Sequence, residues 1–352
     1  MSLRDRLCAR IAAQGPISLA DYMADCLLHP EFGYYTTGLP IGAAGDFITA
    51  PEISQMFGEL IGLCLAQAWM DQGSPDRFTL AELGPGRGTL MADLLRATRG
   101  VPGFHDAADI FLIEASAPLA AQQRQALADH SVSHKAHVDA LPDGPLFVVA
   151  NEFFDALPIR QFTRAESHWR ETQIGAQDGV LTLGLGPELP QPALADRLGD
   201  TRAGDVIEYA PFAAPIIDTL GSRIARHGGA GLIIDYGDWH SLGDTFQALQ
   251  NHQPVDPLAE PGRADLTAHV DFEALAVAAP CPTTRLTPQG VFLERLGITQ
   301  RAQALAAGLN GTALDRHIAA YRRLTHRDEM GNLFKVIGLF PQDSPPPPGL
   351  EI

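Results

Sequence analysis

The stretch TLAELGPGRGTLMADLL, Thr79 to Leu95, constrains the fold more than any other segment of the chain. An apolar run ends at Leu83, glycines follow at positions 84, 86 and 88, and a helical pattern starts near Thr89. Glycine is needed where φ is positive or where a ligand approaches the backbone closely. A strand that feeds such a turn and then a helix reads as the ligand-binding opening of an α/β sheet. The downstream pattern agrees. Asp109–Ile113 reads as a second strand, Ala117–Asp129 as a helix and Ser133–Leu141 as a third strand. Leu146–Ala150 is a buried fourth and Gly231–Asp235 a fifth, preceded by a helix over Pro211–His227. Such alternation predicts a doubly wound, Rossmann-like α/β domain with parallel strands and right-handed crossovers.

The remaining segments are arranged around this core, assigned to residues 77–160 and 205–240. Residues 1–76 read as an N-terminal helical cap region, in which Leu3, Leu7 and Ile11 share one helical face. Asp5 and the lack of a serine-rich stretch argue for an ordinary first helix over a mitochondrial leader. A glycine-rich loop, GLPIGAAGDFITAPE, precedes a long helix from about Ile53 to Asp71. Alternation over Gln161–Leu185 predicts a β-hairpin arm at 161–204. A polar, Pro- and Gly-rich stretch makes 241–282 an irregular insertion, helical over Val270–Ala279. In 283–352 a short strand (Thr283–Thr287), a mostly helical stretch (Val291–Tyr321) and a closing strand (Leu333–Phe340) complete the sheet.

Composition removes several function classes. The four cysteines are scattered with no CxxC pair, so neither a zinc ribbon nor a disulfide framework is expected, and a cytoplasmic setting is the default. No HExxH occurs, and His134 and His137 lack a companion ligand, so no metal site is expected. Acids exceed bases by 42 to 25, a net charge of −17, with no basic run. Nucleic-acid binding draws most of its affinity from phosphate neutralisation, so no nucleic-acid partner is expected. The charge favours a cationic or neutral substrate. The longest apolar stretch, Leu60–Met70, is too short to span a bilayer, and no membrane insertion is expected.

Spacing in the glycine turn discriminates between cofactors. A dinucleotide fingerprint needs a third glycine or alanine at position 89, where Thr89 stands, and Gly88 comes one residue early. Glu82, just before the turn, suits S-adenosylmethionine (SAM), whose methionine moiety offers donors to a carboxylate. A structural turn and a nicotinamide or flavin site are the alternatives. Glu114 ends the second strand, where an acid can accept both ribose hydroxyls. Asp139, near the end of the third strand, is placed to face the adenine amino group, though polar residues at strand ends are common.

The fourth strand runs into FVVANEFFDALPI and delivers Asn151, Glu152 and Asp155 to the same sheet edge. Methyl transfer is an in-line displacement, so the enzyme chiefly aligns the nucleophile. Carboxylates beside a guanidinium would hold it by bidentate bonds. Glu152 and Asp155 are the catalytic candidates, with a helix cap or structural ion pair as the alternative.

Together these segments resemble the MidA-like SAM-dependent methyltransferases, whose eukaryotic members are mitochondrial complex I assembly arginine methyltransferases. The resemblance rests on HPEFGYY (His29–Tyr35), GDFITAPEISQMFGEL (Gly45–Leu60), AELGPGRG (Ala81–Gly88) and NEFFDALP (Asn151–Pro158). IIDYG (Ile233–Gly237), ADLTAHVDF (Ala264–Phe272) and GNLFKVIGL (Gly331–Leu339) extend it over nearly the whole chain. It implies a class I methyltransferase sheet with a closing antiparallel strand, SAM as cofactor, and Gly84, Gly86 and Glu114 as its ligands. It suggests that Thr49–Gln55, with Thr49 and Gln55 at its ends, covers the donor. It further implies symmetric dimethylation of an arginine in the quinone-side subunit of complex I, in the mitochondrial matrix for a eukaryotic chain. A homodimer is left open. The double-glutamate signature of the major arginine methyltransferases is absent in its usual form. A small-molecule methyltransferase and a SAM-binding assembly chaperone are the competing functions.

Overall fold

In the computed structural model, which describes residues 1–37 and 49–352, seven of the eight strands of one sheet form the path that organises the chain, and the eighth, Val270–Asp271, pairs in parallel off that path. In chain order the seven are β1 (Phe78–Leu83), β2 (Ala108–Ile113), β3 (Val132–Lys135), β4 (Leu146–Asn151), β5 (Gly229–Asp238), β6 (Thr287–Pro288) and β7 (Phe334–Leu339). Their spatial order is β3-β2-β1-β4-β5-β7-β6. Strands β1 to β5 pair in parallel, and β7 runs antiparallel to both of its neighbours. The order reverses between β1 and β4. Open α/β sheets bind ligands at such a switch point, beyond the carboxyl ends of the strands. Register pairs Leu83 with Ala150, so the glycine turn and the NEFFDALP segment leave the sheet side by side.

Every residue of β1 and β4 is buried. Helices cover both faces of the sheet, which is why these strands are apolar throughout instead of alternating. Two sequence expectations change here. The strand expected to close the sheet, β7, is flanked by β5 and by the two-residue β6, which takes the edge. Pro288 suits that position, because proline cannot donate to a further ladder partner. The expected third strand ends early, at Lys135, and a 3₁₀ turn follows over Val138–Ala140. Val138 and Leu141 both point inward, a spacing of three that a strand cannot provide.

The N-terminal helix Leu3–Gln14 buries Leu3, Leu7 and Ile11, the face its sequence announces. The long helix runs Gln55–Asp71 and packs on Thr89–Thr98. The hairpin Trp169–Gln177/Val180–Leu189 belongs to a five-stranded antiparallel sheet with Ile17–Ser18, Arg160–Arg164 and Val206–Tyr209. Phe162, Trp169, Leu194 and Ile207 make its apolar cluster. An isolated hairpin could not bury that many large side chains, so the arm recruits further strands. The 241–282 segment holds a small sheet of Gln247–Gln250, Gln253–Val255 and Asp265–Thr267 and the helix Phe272–Ala278. The glycine-rich loop over 38–48 lies outside the described residues. Among the described residues no helix is long and apolar enough to cross a membrane, and no group of three or more potential ligands could hold a metal ion.

Candidate active site

The turn after β1 holds Gly84 at φ 61° and Gly86 at φ 53°. Both lie in the left-handed region that favours glycine. A Cβ at Gly84 would also come within 2.9 Å of Phe153 Cδ2. Two clefts meet at this turn. The open one, about 660 Å3, reaches Glu114, Ser116, Val138 and Asp139. The narrow one, about 40 Å3, is walled by Thr49, Glu52, Glu82 and Asn151. Gly84, Gly86 and Glu152 line both. Gly88 lines neither and caps the helix Thr89–Thr98 instead.

At the open end, Glu114 Oε1 accepts from the backbone N–H of Ser116 at 2.7 Å, and Oε2 accepts from Gln123 Nε2 at 3.0 Å. Burial pushes its carboxyl above the usual range, and those two donors pull it back. Gln123, fully buried, also donates to the carbonyl of Gly86 at 2.7 Å. Its Oε1 lies 2.9 Å from His134 Nε2. One amide therefore braces both the glycine turn and the acid beside it. Sequence reasoning missed Gln123. The available signal was a polar residue on the inward face of the helix Ala117–Ala126, in line with Leu119 and Ala120. Asp139 lies on the 3₁₀ turn, exposed, with Oδ1 accepting from Thr219 Oγ1 at 3.2 Å.

At the narrow end, Glu82 Oε2 and Asn151 Oδ1 are buried acceptors without a donor among the described residues. Burial, with the charge of Glu114, pushes Glu82 up to about 8, against a backbone N–H from Met91. Buried acceptors are normally satisfied, so this pair is suited to a cationic donor such as the α-ammonium group of SAM. Thr49 borders the cleft at the start of the short helix Ala50–Ile53. Glu52 accepts from Thr89 Oγ1 and lies 3.5 Å from Arg87 Nη1. Gln55 does not reach either cleft. It is exposed and donates to Glu59 Oε1 at 3.1 Å.

Glu152 stands where the clefts join. Its φ is +51°, unusual for a residue with a side chain. Oε1 accepts from the backbone N–H of Ala50 and from Asn151 Nδ2, each at 3.0 Å. Oε2 has no partner among the described residues. Burial pushes the group up to about 7, with Asp155 adding to the shift and Ala50, Asn151 and Arg323 opposing it. Asp155 is brought near but faces the interior. It lines neither cleft, is 5% exposed, and is pushed up to about 6 by burial, with the Tyr236 hydroxyl opposing the shift. The segment between them is bound by Asp235 on β5, which sequence reasoning did not single out. Asp235 Oδ2 accepts from the N–H groups of Phe153 (3.2 Å), Phe154 (2.9 Å) and Asp155 (3.3 Å). Burial and the charges of Asp155 and Glu152 push Asp235 up, and its backbone donors pull it down.

Residues 60–289 match the family described as "Putative S-adenosyl-L-methionine-dependent methyltransferase". The chain is 36% identical to the mitochondrial protein arginine methyltransferase NDUFAF7 of Xenopus tropicalis, over 97% of this chain and 86% of that protein. Its identity to the Homo sapiens protein of the same name is 35%, over 94% of this chain and 82% of that one. A crystal structure from Burkholderia thailandensis, bound to S-adenosyl-homocysteine, matches with a TM-score of 0.82 and 30% identity, over 96% of this chain and 91% of that one. The sheet order, the glycine turn and these likenesses agree, and the chain belongs to this family of SAM-dependent methyltransferases.

Proposed function

We propose that the chain is a protein arginine N-methyltransferase that modifies a quinone-side subunit of respiratory complex I during assembly, in the cytoplasm. The substrate class comes from the relatives named protein arginine methyltransferase. The observation that carries the reading is the place of Glu152, which lines both clefts and whose Oε2 has no hydrogen-bond partner among the described residues.

SAM, when bound, supplies an electrophilic methyl group on a sulfonium. The chain supplies alignment. Glu114 has the position to accept the ribose hydroxyls, Asp139 to meet the adenine amino group, and Glu82 with Asn151 to hold the ammonium group. Glu152 Oε2 pairs with the guanidinium, drawing its charge away from the attacking nitrogen so that a lone pair can face the methyl group. The guanidinium nitrogen gains the N–C bond as the sulfonium would give up its S–C bond and leave as S-adenosyl-homocysteine; the nitrogen loses one proton, and a carboxyl held near 7 is suited to take it. Asp155, turned inward, shapes the field around Glu152 instead of touching the substrate.

The test is mass spectrometry of respiratory subunits from a deletion strain, with purified enzyme and labelled SAM added back. Dimethylarginine that disappears on deletion and returns on addition supports the reading. Failed assembly with unchanged methylation would favour the chaperone role instead.

A further inference from the structure

Two consecutive residues of β5 grip the four residues that follow Asn151. The carbonyl of Ile234 accepts the N–H of Glu152 at 2.9 Å. The Asp235 carboxylate then takes the N–H groups of Phe153, Phe154 and Asp155 on the single oxygen Oδ2, and that of Tyr236 on Oδ1 at 2.9 Å. Asp235 has no exposed surface. Three donors on one oxygen and one on the other favour the charged carboxylate against the burial and neighbouring acids that push it up, and a neutral amide oxygen accepts such bonds less strongly.

The turn so held contains the strained residue. At φ +51° Glu152 sits where most side chains are disfavoured, and such conformations persist only when the surroundings over-determine them. Released from Asp235, the chain after β4 would relax toward negative φ. That rotation swings the Glu152 side chain off the line between the clefts and breaks its bond to Ala50.

We propose that Asp235 is a positioning residue for methyl transfer: it locks the 152–155 turn so that the Glu152 carboxylate faces the reacting centre. It touches neither cofactor nor substrate and acts only through Glu152. The inference rests on the reading of Glu152 given above.

A double-mutant cycle tests it, with S-adenosyl-homocysteine titration and single-turnover transfer measured on each full-length protein. Asp235→Asn keeps the shape but weakens the acceptor. Misplacement by about 1 Å can cost about 100-fold, so the transfer rate should fall about 10- to 100-fold in kcat, not KM. Affinity for S-adenosyl-homocysteine should stay within about threefold, because Glu82, Gly84, Gly86 and Glu114 lie on other segments and Asn151 sits on β4 ahead of the turn. In a Glu152→Gln background the same change should cost less than about threefold, since residues acting as a unit are non-additive. Multiplicative losses, or an unimpaired Asp235→Asn, would overturn the positioning role while leaving Glu152 in place. An unimpaired Glu152→Gln would overturn both readings. Amide hydrogen exchange of the wild-type protein gives an arm independent of mutant folding. Phe153, Phe154 and Asp155 should exchange slowly although they lie in a turn, and fast exchange at these three would also sink the proposal.

Discussion

The backbone N–H of Ala50 donates to Glu152 Oε1 at 3.0 Å, joining segments 102 residues apart in sequence. The contact occupies one carboxylate oxygen, and the other has no hydrogen-bond partner among the described residues. It also ties the N-terminal cap to the cofactor turn, since Glu52, two residues on, binds Thr89.

Glu152→Gln keeps the shape and removes the charge. Single-turnover methyl transfer should fall by roughly 100-fold, the scale of losing an electrostatic partner of the transition state. Affinity for SAM should change less than about threefold, because Glu82 and Glu114 remain. In the wild type, transfer should climb as pH rises through about 7, where the Glu152 carboxyl becomes charged. The Gln variant should lack that limb. A shared pH profile would move the titrating group elsewhere.

Glu82 makes a stability prediction with a definite sign. Its folded pKa of about 8 lies above the ordinary 4.5. Folding therefore favours the protonated form, and the stability it contributes is complete below pH 4.5 and lost as pH rises through about 8. Without cofactor, the melting temperature should fall between pH 6 and 9 by at least about 2–4 °C more in the wild type than in Glu82→Gln, an effect on the order of 1 kcal/mol. The same substitution should weaken SAM about 10-fold above pH 8, where the carboxylate it removes is charged. Parallel melting curves would show that Glu82 does not titrate in this range.

Gln123 and Glu114 can be ranked by calorimetric titration with S-adenosyl-homocysteine. Glu114→Ala should weaken binding by roughly 10- to 100-fold, the range of lost bonds to a charged acceptor. Gln123→Leu fills the same space but deprives Glu114 and the Gly86 carbonyl of their donor. A loss of about 10-fold is expected there, from a loosened site instead of a lost contact. Equal affinity in Gln123→Leu and wild type would make the brace irrelevant to binding.

Gly84→Val puts a β-branched side chain at φ 61° and a Cβ 2.9 Å from Phe153. Cofactor binding should be undetectable by titration while far-ultraviolet circular dichroism stays close to that of the wild type. Retained binding would mean that the turn relaxes without cost.

Gln55→Ala is the opposite case. Gln55 is exposed and faces Glu59, so cofactor affinity and turnover should both stay within about twofold. A larger loss would place Gln55 over the donor after all.

Much of the lining of the two clefts is set by residue order. Glu82, Gly84, Gly86, Glu114 and Asn151 are each set by position on a strand or at its tip, and their strands are long apolar runs. Asp139 came from an overlong third strand, yet it borders the open cleft from a 3₁₀ turn. The gaps share a cause. Gln123 and Asp235 act through side-chain bonds to distant backbone, and nothing near them in sequence marks which carbonyl or N–H they will meet. Gln55 lines neither cleft for the same reason in reverse, because its helix turns it toward Glu59.

By itself the sequence determined the parallel core and the cofactor turn. Burial on both faces demands unbroken apolar strands, and positive φ at a ligand-facing turn demands glycine. The tertiary structure alone decided which acid of the NEFFDALP segment faces the clefts. Glu152 and Asp155 are three residues apart on one turn, and both carry a carboxyl group. Their directions follow from the Asp235 carboxylate, 80 residues beyond Asp155, which binds the intervening N–H groups. An irregular turn has no periodicity to aim its side chains, so hydrogen bonds from another strand aim them.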